Sequence, residues 1–123
     1  MAVTHAVAVR NIIADAVVDE IDAGAGAGTL EFQTSGDVEV AILTFSDPAF
    51  GAASSGTATA SSITDDTNAT GGTIAKFKVF DSDSNEKFAG AVGTSGSDIN
   101  LSSLSVTAGD TVSLTSLTYS ALS

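Results

Sequence analysis

From Thr29 onward the chain is cut into short runs of alternating apolar and polar residues by clusters of Gly, Ser, Asp and Asn. Alternation with period two puts successive side chains on opposite faces of an extended chain, so each run reads as a strand with one buried face. Turn formers recurring between such runs point to hairpins and an antiparallel architecture. In TLEFQ (29–33), Leu30 and Phe32 share a face. In TIAKFKVFD (73–81), Ala75, Phe77 and Val79 face one way, and Lys76 and Lys78 the other. VEVAILTF (38–45) is the strongest strand; its centre, 41–43, is apolar on both faces, which predicts a place in mid-sheet. GTATASSI (56–63), KFAGAVG (87–93), INLSSLSV (99–106) and TVSLTSLTYSAL (111–122) supply the remaining strand candidates.

Residues 4–22 follow a different rule. Val9, Ile13, Val17 and Ile21 recur every four residues with Ile12 and Ala16 beside them, an apolar stripe that predicts a helix. Arg10, Asp15, Asp19 and Asp22 fall mainly off that stripe, Thr4 is placed to cap the start, and the glycines from Gly24 mark the stop. The expectation is one domain over 1–123, with a helix at 4–22 and a β region at 29–120. Its fold class is mainly β: an antiparallel β-sandwich or partly open barrel of about seven or eight short strands. The N-terminal helix covers one end or edge.

Composition narrows the function classes. The chain has 123 residues, 43% hydrophobic and 15% charged, a balance that folds rather than stays disordered. Fifteen acids against four bases give a net charge of −11, which repels a phosphate backbone and an anionic membrane surface. Neither nucleic acid nor membrane is therefore an expected partner. The opening residues lack a basic region before an apolar core, and Arg10 and Asp15 interrupt them, unlike a signal peptide. No run of about 18 apolar residues is present. Without cysteine, no disulfide or thiolate metal site is available.

Catalytic patterns are weak. His5 is the only histidine and stands near the N-terminus among Ala and Val, a poor setting for a general base. AGAGAG (23–28) follows a helix and precedes a strand, with G-x-G-x-G spacing, the reverse of a dinucleotide-binding turn; it reads as a close backbone passage. DSDSNE (81–86) begins like an EF-hand loop, but its sixth residue is Glu86 and its twelfth Val92, so the pattern fails at both. An irregular calcium site from Asp81, Asp83, Asn85 and Glu86 stays open beside the plainer reading of a polar hairpin tip. The acids Asp15, Asp19, Glu20 and Asp22 either cost the helix a little or face a basic partner. No cofactor is expected, and the chain reads as a non-enzyme.

Several stretches together resemble a family of small virion structural proteins of tailed bacteriophages, of the head decoration, or cement, type. They are ADAVVDEIDAGAGAGTLEF (14–32), LTFSDPAFGAASSGTATA (43–60), FKVFDSDSNE (77–86), VGTSGSDINL (92–101) and VTAGDTVSLTSLT (106–118). The resemblance implies a protein made in the host cytoplasm and carried on the outer capsid surface. Its implied partners are the major capsid protein and its own copies, with a trimer expected. Small uncharged residues in LTFSDPAFGAASSGTATA allow close backbone approach at little entropic cost, so this segment is a candidate docking surface. The interface candidates are Phe45, Asp47, Pro48 and Phe50 here, and Ile12 and Val17 on the helix. Phe50 reads either as an exposed anchor or as a core aromatic. The alternatives are a tail or fibre component that binds a host surface, and a virion-associated hydrolase.

Overall fold

The computed structural model describes residues 3–121. It is mainly β, with one N-terminal helix. Helix α1 (Val7–Asp19) runs on into a 3₁₀ turn, Glu20–Asp22. Ten strands follow: β1 (Thr29–Gln33), β2 (Glu39–Phe45), β3 (Thr57–Thr59), β4 (Ile63–Thr64), β5 (Gly72–Thr73), β6 (Lys76–Phe80), β7 (Glu86–Gly93), β8 (Ile99–Asn100), β9 (Ser105–Val106) and β10 (Thr118–Ser120). Six form one curled sheet in the order β4-β2-β1-β6-β7-β8, antiparallel except for the β7–β8 pair. β3 pairs with β10, and β5 with β9. This is a sandwich-like, partly open barrel.

The core follows from the alternation. Leu30 lies opposite both Leu43 and Val79, and Phe32 opposite both Ala41 and Phe77, so one face of β2-β1-β6 is a continuous apolar layer. Ile74, Ala58, Ala60, Phe50 and Val112 close over it from the smaller elements. On the outer face Lys78 stands opposite Glu31.

β1, rather than β2, is central. β2 has only the two-residue β4 beyond it, and Ile42 is 36% exposed on the outer face. Val40 is nevertheless fully buried, because the chain at 70–71 crosses it: Thr70 and Gly71 both donate their amides to the Val40 carbonyl. Asp66 accepts the Ile42 amide at 2.9 Å. The loop thus satisfies the part of the β2 edge that β4 leaves open. The strands foreseen at 99–106 and 111–122 are mostly irregular, with two-residue and three-residue pieces at 99–100, 105–106 and 118–120. These stretches pass from one sheet to another, β8 pairing with β7, β9 with β5 and β10 with β3, so no ladder extends along them.

The helix differs from expectation in two ways. It begins at Val7 after Ala6, which makes no side-chain cap, so Thr4 has no capping role. Its buried residues are Ala14, Val18 and Ile21, so of the four-residue stripe only Ile21 is buried. The reason is geometric. At about 100° per residue, each step of four overshoots a full turn by about 40°. The row Val9, Ile13, Val17, Ile21 therefore winds around the helix: Val9 is exposed, Ile13 and Val17 are half-buried, and only Ile21 reaches the core. The helix lies on β3 and β10 rather than over an end of the main sheet.

This orientation predicts unequal truncation costs. Ile21→Ala should lose about 2–5 kcal/mol of unfolding free energy, while Ile12→Ala stays within about 0.5 kcal/mol of the parent. Urea unfolding of both variants checks it.

Candidate functional site

The uncharged stretch after β2 is a hairpin laid against α1. The chain leaves the main sheet through a cis Asp47–Pro48 bond and runs out along 49–54. It turns at Ser55–Gly56, where both residues have positive φ, +54° and +77°, and returns as β3. Ser54 and Thr57 exchange both backbone hydrogen bonds across that turn, at 2.9 and 3.0 Å, the pattern of a two-residue type I′ hairpin loop. Gly51 donates to the Thr59 carbonyl, and Ser61 to that of Ala49.

Three amides of this hairpin are taken by side chains of the helix instead of by a strand. Ala49 donates to both carboxylate oxygens of Asp22, at 3.0 and 3.3 Å. Ala53 donates to Asp15 Oδ1 at 2.8 Å, and Gly56 to Asn11 Oδ1 at 2.8 Å. Asn11, Asp15 and Asp22 fall on the same side of the helix as Ala14 and Val18, so the inward face carries both core contacts and backbone acceptors. Small residues in the hairpin let its backbone come this close. Gly56 suits its place, since its φ of +77° is one that side chains disfavour and a Cβ there would stand 2.7 Å from the Arg10 guanidinium carbon. At the far end of the helix Gly28 is fixed in the same way, since a Cβ would stand 2.4 Å from Ile21 Cγ2 and 2.5 Å from the Phe80 carbonyl oxygen. The close passage expected of AGAGAG is therefore real at Gly28.

The interface candidates separate. Phe45 and Phe50 are only 2% and 6% exposed and pack on each other with ring centres 5.8 Å apart. Phe50 is thus a core aromatic and is not available as a docking anchor. Asp47 and Pro48 form an exposed corner. Val17 is half-buried, and Ile12 is 67% exposed. Ile12 belongs to an outward helix face with Val9 (42% exposed), Ala8 and Ala16, and Val7 (53%) flanks it at the N-terminal end. Among the described residues these side chains remain exposed, and the C-terminal end of the face carries the exposed acids Asp19 and Glu20. Of the two helix residues expected at an interface, Ile12 therefore lies on this surface and Val17 at its margin.

The acids are mostly occupied internally. Burial pushes Asp22 above the ordinary Asp range; the Ala49 amide opposes the shift, and nearby Asp47 and Asp19 add to it. Asp81 is held below that range, first by the Asn85 amide at 2.9 Å, with the Asn85 side chain, the Asp83 amide and Lys87 adding to it. Lys87 lies 3.3 Å from Glu20 and 3.4 Å from Asp81, tying the helix end to the β6–β7 hairpin, and Glu20 raises its pKa most. The oxygens of Asp81 are committed to its own turn and to Lys87, so the DSDSNE loop is built as an Asx-type hairpin tip. His5 is exposed and precedes the helix.

One concave feature escaped the sequence reading. A cleft of about 270 Å³ opens between β7 and β10, lined by Phe50, Phe77, Phe88 and Tyr119, with Asp98 and Ile99 beside them. Its aromatics come from four separate segments, so no local pattern marks it. Comparison of the chain with protein-family models, with curated proteins and with solved structures gives no match.

Two outcomes are expected of the acids. Asp15→Ala, which orphans the Ala53 amide, should cost about 1–3 kcal/mol, and Asp15→Asn, which keeps an acceptor, much less, by urea unfolding at pH 7. The pH dependences of Asp22 and Asp81 should have opposite signs. Because the folded pKa of Asp22 is raised, its contribution is full below about pH 4 and is lost as pH rises through the folded value. Asp22→Asn therefore gains on the parent between pH 3 and pH 7. The contribution of Asp81 is full above about pH 4 and is lost as pH falls through its lowered folded value. The penalty of Asp81→Asn therefore shrinks in acid.

Proposed function

We propose that the chain is a structural protein of a bacteriophage virion, a head decoration protein that binds the outer capsid surface and stabilises the shell. The observation that carries this reading is the outward face of α1, where Val7, Val9 and Ile12 are exposed on a protein of net charge −11. Large apolar side chains grouped on one helix face fit a docking contact better than free solvent. An amphipathic helix laid into a groove is a common recognition mode. The groove is assigned to the major capsid protein, with copies of this chain gathered as trimers at local three-fold positions. The resemblance in the five stretches quoted above supports the virion assignment.

The mechanism needs no chemistry. Each copy makes a modest contact through α1, and the repeated lattice adds these contacts through multivalency. The hairpin at 49–61 acts from behind: its amides fix the helix so that the apolar face is presented without rearrangement, which limits the ordering cost of binding.

Mass spectrometry of purified particles tests the reading. A copy number close to that of the major capsid protein is expected. A few copies per particle would favour a tail or fibre component, and none would contradict a virion role. Ile12→Asp should leave the far-UV spectrum and melting temperature unchanged yet reduce particle-bound protein at least about tenfold, the effect of burying an unpaired charge; unchanged incorporation would contradict docking through α1.

A further inference from the structure

The cleft between β7 and β10 has a composition that the fold alone does not require. Phe88 and Tyr119 meet with ring centres 5.5 Å apart and planes inclined by 51°, forming a half-buried wedge that opens to solvent. Phe50 and Phe77 lie deeper and are nearly buried. Asp98 lines the same cleft and is oriented by the Ala91 amide, which donates to Oδ2 at 2.9 Å. Gly90 lets the Phe77 ring and the Asp98 carboxylate both pack close on the β7 backbone: a Cβ there would stand 2.6 Å from Phe77 Cε1 and 2.8 Å from Asp98 Oδ2.

Asp98 is itself exposed to solvent. The chain has four bases, Arg10, Lys76, Lys78 and Lys87. Lys76 pairs with Asp37, Lys78 with Glu86 at 3.3 Å, and Lys87 with Glu20 and Asp81. Arg10 lies against Gly56 and the Ala121 carbonyl. None of these four pairs with Asp98, whose exposed carboxylate is left open to a cation from another molecule. Aromatic faces attract a cation held within about 6 Å of the ring centre, and the wedge of Phe88 and Tyr119 offers two such faces next to the carboxylate. At about 270 Å³ the cleft is smaller than the usual small-molecule pocket of about 300–1,000 Å³, and suits a single side chain.

We propose that this cleft is a receptor for one cationic side chain, a lysine ammonium or an arginine guanidinium, presented by a partner protein. The aliphatic stem lies on Phe88 and Tyr119, and the charged head meets Asp98. The acidic net charge steers such a partner toward the surface. The site does not depend on the virion reading, because its ligand is defined by chemistry at the cleft and not by the partner's origin.

Tyr119 is the only tyrosine and the chain has no tryptophan, so intrinsic tyrosine fluorescence reports on the cleft directly. The probes are N-acetyl-lysine amide, N-acetyl-arginine amide and, as the uncharged control, N-acetyl-norleucine amide. The amide NMR shifts of Ala89 and Ala91 give a second readout. Both cationic probes should produce saturable changes, weakened by added salt, while norleucine binds at least about tenfold more weakly, as expected when a charged group loses its partner. Asp98→Asn, which still accepts from Ala91, should weaken the lysine probe about five- to tenfold. Phe88→Leu should weaken it while near-UV dichroism confirms an intact fold. Equal binding of norleucine would make the cleft an apolar pocket and overturn the proposal. So would an unaffected Asp98→Asn variant, or no saturable response below ~100 mM probe. Copy number in particles is unaffected by any of these results, so the two readings fail separately.

Discussion

The amides of the hairpin at 49–56 have to be satisfied, and the helix supplies the acceptors. A backbone N–H enclosed against a packed surface costs free energy comparable to a lost hydrogen bond if it finds no partner. Ala49, Ala53 and Gly56 find Asp22, Asp15 and Asn11. That arrangement fixes the rotation of α1 about its axis. Once those three polar groups face the hairpin, Ala14, Val18 and Ile21 are carried into the core with them. Val9 and Ile12 are carried out. The exposed apolar face is therefore a consequence of the polar contacts on the opposite side.

The same contacts explain the unusual composition of the segment. A hairpin that lies close enough to a helix for side-chain oxygens of that helix to accept its amides has little room for long side chains, and an acidic residue there would be repelled by Asp15 and Asp22. Ala, Gly and Ser meet both demands, and Gly56 accommodates the Arg10 guanidinium as well as a left-handed turn. The large aromatics that flank the segment, Phe45 and Phe50, are spent on the core, where they join the helix layer to the main sheet. Lys87 ties the other end of the helix to the β6–β7 hairpin through Glu20 and Asp81. Together these links make the helix, the hairpin and the sheet one packed unit.

What could be read from the residues divides along the range of the interactions. Strands with strong alternation, at 29–33 and 76–80, follow from neighbours two apart and were legible, as was the fold class. The helix was legible as a helix but not in its orientation, because the period-four row Val9, Ile13, Val17, Ile21 drifts around the cylinder and only tertiary contacts decide which part of it is buried. Asp15 and Asp22 looked like costs to the helix, since their partners lie 38 and 27 residues away. Among the interface candidates Ile12, Asp47 and Pro48 are at the surface, while Phe45 and Phe50 are not; an anchor and a core aromatic carry the same local signal. The aromatic cleft draws on four distant segments and leaves no local pattern at all.

Amide hydrogen exchange tests the central claim most directly, because it reads the three hairpin amides one by one. If helix side chains hold them, Ala49, Ala53 and Gly56 exchange as slowly as Gly51, whose amide is bonded to the Thr59 carbonyl, and Asp15→Ala releases Ala53 selectively. Exchange of these three amides at free-loop rates in the parent protein would mean that the helix is not pinned through its acids. The outward orientation of Ile12 would then lose its physical basis.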